Sequence, residues 1–198
     1  MKFRRPFFFS ILIAAFLVAA YYSKIDNAEK EAVLMHTILN GLNQLHYSPK
    51  SLDDDFSNRL YELYLERIDG GRRFLTQSDV SQLSVYKDQL DDEALEGSYT
   101  FFDLSIKLLD ASLKKTQNYY REILDSPFDY DIKETVELDG DKREFAKDDT
   151  ELKNYWRKYL KYETLTRLNE ALEKQEKIGE EGEKKSFEEL EKEAREDV

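Results

Sequence analysis

The sequence predicts an all-α protein: an irregular multi-helix domain with a short extended excursion near residues 128–141, preceded by an apolar signal or anchor helix. Three observations predict it. Glycine and proline are scarce, at 7 and 3 of 198 residues, which favours helices over a turn-rich β architecture. Apolar residues recur at spacings of three and four through most of the chain, the period of one helix face. Aromatic residues are plentiful, with 13 Tyr, 12 Phe and 1 Trp, so a chain of this length can fill a core.

The chain opens with Lys2, Arg4 and Arg5, followed by the apolar run Pro6–Ala20. A positive start followed by an apolar stretch is the pattern of a secretory signal, and Val18-Ala19-Ala20 offers small residues for cleavage. Extended to Tyr22, the run also reaches the lower edge of the roughly 17–25 residues that span a bilayer, with Tyr21 and Tyr22 placed for its interface. A cleaved signal peptide and a retained anchor in the inner membrane are both consistent with residues 1–24. Either places the rest of the chain outside the cytoplasm, with membrane contact confined to these residues.

Residues 25–175 read as one helical domain. From about Ala28, Leu34, Ile38, Leu42 and Leu45 form a helical stripe, which His46, Tyr47, Ser48 and Pro49 end, since proline disfavours helical geometry in the residue before it. Ser51 is placed to cap a second helix, with Asp53, Asp54 and Asp55 in its first turn. Phe56, Leu60, Leu63, Tyr64 and Ile68 would line its inner face, and Gly70-Gly71 would stop it in the left-handed conformation glycine tolerates. Phe74 and Leu75 would plug the core. Thr76 or Ser78 then caps a short helix with Val80, Leu83, Tyr86 and Leu90, and acidic Asp91–Gly97 reads as a connection.

A longer helix is expected over Tyr99–Leu124, with Phe102, Ile106, Leu109, Leu113 and Tyr120 on one face, closed by Asp125-Ser126-Pro127. From Phe128 to Asp141 the period changes. Phe128, Tyr130 and Ile132 alternate with polar residues, which suits extended chain, a small hairpin or an irregular excursion. The last large helix starts at Asp148, Asp149 or Thr150 and carries Leu152, Tyr155, Trp156, Tyr159, Leu165, Leu168 and Leu172. Residues 176–198 form a charged hinge and a fresh helix. Gly179 and Gly182 mark the joint, and Ser186 with Glu189 forms a capping-box pattern. The chain stops soon after that cap, which suggests a piece of a longer protein.

No catalytic, cofactor-binding or metal-binding residue stands out. The net charge of −12 disfavours nucleic acid, whose phosphates need clustered Lys and Arg. Cysteine is absent, which removes thiolate chemistry and thiolate metal sites. His36 and His46 lack partners at metal-ligand spacing; they read as a surface helix residue and an end-of-helix residue. No serine lies in a Gly-x-Ser-x-Gly elbow. Asp53, Asp54 and Asp55 do not share one helix face, so helix-dipole stabilisation explains them better than a metal. Gly70-Gly71-Arg72-Arg73 lacks the ending of a phosphate loop, and its arginines are expected to pair with acidic neighbours. Tyr155, Trp156, Tyr159 and Tyr162 could form an aromatic ligand box, but at helical spacing they fit packing better.

Three ordered stretches carry a family resemblance. The first is His46-Tyr47 followed by LDDDFSNRLYELYLERIDGGRRFLTQSDV, including Ile68-Asp69, Phe74-Leu75 and Asp79-Val80. The second is Pro127-Phe128-Asp129-Tyr130. The third is Leu152 through Trp156-Arg157-Lys158, Leu160-Lys161-Tyr162-Glu163. Together they make residues 28–198 resemble the N-terminal helical domain of tail-specific (C-terminal-processing) serine proteases. Gly70-Gly71-Arg72 departs from the Asp-Pro-x-Lys-like turn of many members, which affects the local turn only.

The resemblance implies a parent protease that processes or degrades proteins from their C-termini. Its PDZ domain and its Ser/Lys core, in which lysine is the general base, would lie beyond residues 1–198. It implies a noncatalytic scaffold and docking role here, no cofactor, protein substrates, a possible adaptor lipoprotein partner, and a periplasmic location. The alternative reading of the residues is an independent, membrane-tethered helical adaptor or sensor domain.

Overall fold

The computed structural model describes residues 27–178 and 184–198. The signal or anchor expected over residues 1–24 and the glycines of the expected joint lie outside them. The described residues are all-α: seven helices, one 3-10 turn at Gly140–Lys142 and no strand. The helices are α1 (Asn27–Leu45), α2 (Asp54–Asp69), α3 (Gln77–Ser84), α4 (Leu90–Glu96), α5 (Thr100–Leu124), α6 (Asp149–Ile178) and α7 (Phe187–Glu196). Two compact units are distinguishable. One comprises the described residues up to Arg59 with Lys87–Thr100; the other comprises Leu60–Tyr86 with Phe101–Val198.

In the first unit, α1 packs on α4. The His36 ring nitrogen Nε2 lies 2.8 Å from the Leu95 carbonyl, and the Tyr99 hydroxyl donates to the Glu31 carbonyl at 2.9 Å. Gly97 ends α4 at φ 72°, a left-handed geometry that favours glycine. Residues 91–97, expected as a connection, are therefore mostly helix. The acidic run that suggested a loop is Asp91, Asp92 and Glu93 in the first turn of α4, where the helix dipole favours negative charge. Asp91 also bonds inward: its backbone N–H donates to the Ser57 hydroxyl at 2.8 Å, and that hydroxyl donates to the Asp91 carboxylate.

The start of α2 is capped by Asp53 rather than Ser51. The Asp53 carboxylate accepts from the Phe56 N–H at 2.9 Å. The faces of three helices also differ from the stripes in the sequence. On α2 the buried line is Ser57, Tyr61, Leu65 and Asp69, while Leu60 and Leu63 are exposed. On α5 it is Phe101, Ser105, Ser112 and Thr116, while Phe102, Ile106 and Leu113 are exposed. On α1, Leu34, Ile38, Leu42 and Leu45 are all exposed. On α2 and α5 the inward line includes small polar side chains, Ser57, Ser105, Ser112 and Thr116. Small polar residues let neighbouring backbones approach, and Ser105 satisfies its hydroxyl on the Phe102 carbonyl at 2.7 Å and on the Tyr64 hydroxyl at 2.6 Å.

The core of the second unit holds Tyr61, Leu65, Leu75, Leu83, Phe101, Leu152, Leu160 and Leu168. Phe101 sits among the rings of Tyr61, Tyr64 and Tyr86 at 5.0–6.2 Å between centroids. Leu75 is the expected plug and is fully buried; Phe74 is partly exposed. Thr76 caps α3 in a capping box with Asp79, and Asp148 caps α6, accepting from the N–H groups of Thr150 and Glu151, both at 2.9 Å. On α6, Leu152, Thr164 and Leu168 are fully buried, and Leu165 is exposed.

Residues 128–141 form neither strand nor hairpin. They cross α6 as irregular chain, held by side chains as described below. The Ser186–Glu189 capping box starts α7, whose Leu190 and Ala194 pack against Leu168, Ala171, Leu172 and Tyr130.

Candidate docking site

The organising junction of the second unit is the turn after α2. Asp69 is buried, and its carboxylate accepts from the N–H groups of Arg73 (2.7 Å), Phe74 (3.0 Å) and Leu75 (2.8 Å). Burial pushes the Asp69 carboxyl above its ordinary pKa, opposed by these three bonds and by the nearby Arg143 charge. The left-handed residue of the turn is Arg72, at φ 48°; Gly70 and Gly71, expected there, do not adopt positive φ. Their use is closeness. A Cβ on Gly140 would lie 2.0 Å from the Gly70 carbonyl oxygen, so the 3-10 turn at 140–142 rests directly on the Gly70-Gly71 backbone.

The irregular chain fastens this turn onto α6. Arg143 donates to the carbonyls of Gly71 (2.8 Å) and Arg72 (3.0 Å), and its guanidinium lies 3.3 Å from the Tyr155 ring centroid. Arg73 stacks over Tyr159 at 4.5 Å and Arg72 over Phe145 at 5.5 Å. The arginines expected to pair with carboxylates sit instead on aromatic faces, which attract cations through the ring quadrupole. Trp156 Nε1 donates to the Arg73 carbonyl at 2.8 Å, and its ring meets Phe74 and Tyr159. Residue 76 bridges Ala146, with the Gln77 N–H donating to the Ala146 carbonyl at 2.8 Å. Tyr155, Trp156 and Tyr159 are thus occupied by arginine and by one another, and Tyr162 is exposed.

A second clamp holds the chain upstream. Arg157 grips both oxygens of Glu134, and Lys161 donates to Glu134 at 3.1 Å and to the Ile132 carbonyl at 2.9 Å. The Arg157 guanidinium is the largest cause that holds the Glu134 carboxyl down at about 2. A third fixes α7. Buried Glu191 accepts from the Phe128 N–H (3.3 Å), the Tyr130 hydroxyl (3.4 Å) and Arg195 Nε (3.2 Å). Burial, followed by the Glu191 charge, raises the Tyr130 hydroxyl well above the usual tyrosine range.

These groups are consumed by structure. Among the described residues no cluster of His, Asp or Glu side chains is disposed to hold a metal ion. His36 and His46 are exposed and apart in role: His46 ends α1, with Nδ1 accepting from the Ser48 N–H at 3.1 Å. Sequence reasoning missed Arg143, Glu134 and Lys161, each of which acts on a partner far along the chain.

What the clamps leave free is apolar. On the second unit, Leu63 of α2 is 52% exposed, and Phe102 and Ile106 of α5 are 47% and 45% exposed. Tyr64, beside Leu63, touches the Phe102 ring at 6.3 Å between centroids, so the two rows adjoin there. Leu60 and Leu113 extend them. Large side chains displayed in rows over a rigid frame suit binding another protein surface. A groove of about 250 Å³ on the same unit is lined by Tyr120, Leu124, Trp156, Tyr159 and Leu160, with the Glu163–Arg167 ion pair at its side.

Comparison with known proteins adds two findings. A family model described as "Tail specific protease N-terminal domain" matches residues 38–198. The chain is also similar to the "Tail-specific protease" of Haemophilus influenzae (strain ATCC 51907 / DSM 11121 / KW20 / Rd), at 25% identity over 119 residues. That match covers 58% of this chain and 17% of the relative, so the chain spans about a sixth of that protein's length.

Proposed function

The chain belongs to the tail-specific protease family, as its N-terminal domain, and from this premise we propose that it is the noncatalytic scaffold and docking domain of an exported serine endopeptidase. The parent enzyme processes or degrades proteins from their C-termini in the periplasm. Its catalysis belongs to a Ser/Lys dyad beyond residues 1–198, and this domain positions that core and receives protein partners. The observation that carries the reading is the outward apolar face of α2 and α5, around Leu63, Phe102 and Ile106. Burying it against the remaining domains removes apolar area from water, the dominant favourable term in association.

Two measurements test the proposal. The gene read past Val198 should encode a PDZ domain and a Ser/Lys protease core; a stop codon with neither sinks the assignment to a protease. In the full-length enzyme, Leu63→Glu with Ile106→Glu should leave helix content unchanged and weaken proteolysis of a protein substrate. Full activity in that double variant rules out docking through this face.

A further inference from the structure

We propose that the groove between α1 and the start of α2 is a docking site for apolar protein C-termini, whose terminal carboxylate it holds at Lys50. The class of partner rests on the protease reading above; the site lies wholly within the first unit.

After α1 the chain turns back through residues 46–53 to α2, and between them lies a groove of about 480 Å³. Ligand sites occupy roughly 300–1,000 Å³. Leu39 and Leu42 of α1, Leu52 and Phe56 around the start of α2, and Leu95 of α4 give it an apolar lining. Leu42 remains 53% exposed, so the chain's own side chains do not fill the groove.

The polar groups that share this lining are unspent. Asn40, Asn43 and Lys50 belong to it and make no hydrogen bond or ion pair among the described residues. His46 belongs to it too, and its Nδ1 accepts from the Ser48 N–H at 3.1 Å. The neutral ring therefore carries its proton on Nε2, as a donor. Lys50 is the one full charge among the described residues of the lining, and it is positive. The next acid along the chain, Asp53, is taken up by the Phe56 N–H as the cap of α2. An apolar groove with an unpaired ammonium fits a ligand that is apolar and carries one negative charge.

Other occupants fit less well. A fatty acid supplies the carboxylate and the apolar chain but would cover the Asn40 and Asn43 amides without pairing them, which costs free energy. A peptide brings amide groups that donate and accept, as asparagine side chains do. Residues 1–25 contain no Asp or Glu and carry Lys2, Arg4, Arg5 and Lys24, so that segment would bring like charge to Lys50. A chain terminus sets its carboxylate directly beside its last side chain. One short segment then meets both the ammonium and the apolar lining.

The test is the fluorescence anisotropy of a labelled peptide ending in Ala-Leu-Val with a free carboxylate, titrated with the full chain. A Kd on the order of 10–100 µM is expected for so short a contact. Amidating the peptide terminus should weaken binding about fivefold, the upper value for a partly exposed ion pair. Lys50→Glu should weaken the free-acid peptide at least as much and leave the amide unchanged. Leu42→Glu, at a position already exposed, should weaken both by about tenfold or more. Far-UV circular dichroism checks that both variants keep their helices. Acid and amide peptides that bind alike, or a Lys50→Glu variant that binds the acid like wild type, overturn the inference. Displacement by dodecanoate as effective as by unlabelled peptide also overturns it, since the groove is then a lipid site. So does no binding at all, the result if another part of the protein fills the groove. Binding is read without proteolysis, so a failed groove leaves the protease reading standing, and a gene with no protease core past Val198 leaves the measured binding standing.

Discussion

Replacing Asp69 tests the account of the junction most directly. Its carboxylate accepts three backbone N–H groups, and bonds to a charged group contribute about 1.5–3 kcal/mol each. Asp69→Ala orphans all three donors. Arg73 and Phe74 are partly exposed and recover water, whereas Leu75 is fully buried and its N–H does not. Removing the buried charge also relieves its desolvation. The net loss is therefore below the sum of three bonds, at about 3–4 kcal/mol. Asp69→Asn can keep the oxygen that serves Phe74 and Leu75 while its amide faces the Arg73 N–H, a loss of about 2 kcal/mol. For a chain of this size each kcal/mol moves Tm by about 2–4 °C, so the alanine variant should melt about 6–16 °C lower. Trp156 is the single tryptophan and donates to the Arg73 carbonyl within the same turn, so its fluorescence in urea reports the junction itself. A Tm shift under about 2 °C for Asp69→Ala, with unchanged Trp156 emission, refutes the reasoning.

The clamp at Glu134 and the turn at Asp69 and Gly140 carry three further predictions. Glu134 has a depressed pKa, so its contribution is present above its ordinary value near 4.5 and is lost as pH falls through about 2. Urea melts across that window should lose on the order of 2 kcal/mol, and Glu134→Gln should flatten the dependence. Asp69, with its raised pKa, acts with the opposite sign: its contribution is fully present below the unfolded pKa and falls as pH rises through the folded one. Gly140→Ala should destabilise by about 1–3 kcal/mol, because its new Cβ meets a backbone oxygen that cannot turn aside; wild-type thermal stability in this variant contradicts the close approach.

Local chemistry was the legible part of the fold. The capping box at Ser186, and Thr76 as one of two candidate caps for α3, involve residues three apart, and proline and aspartate marked the ends of α1 and α5. The orientation of helices was less legible, because a stripe of leucines says that apolar area needs cover without saying what covers it. In α5 the short side chains of Ser105, Ser112 and Thr116 take the close contact, and Phe102 and Ile106 face outward. The site's frame was hardest to read. Arg143 looks like any surface arginine until residues 71 and 72 come beside it, and Glu134 shows its role only against Arg157 and Lys161. The aromatic cluster on α6 was readable as packing, but its arginine partners were not.

The bond from Arg143 to Gly71 joins positions 72 residues apart. Closing a flexible loop of that length costs roughly 4 kcal/mol of chain entropy, which no single contact at the turn repays. The bridge at Ala146, the stacked arginines and the glycine contact must therefore form together. During synthesis the turn after α2 emerges long before its partners, and it waits for residues 140–159 before it can adopt its final shape.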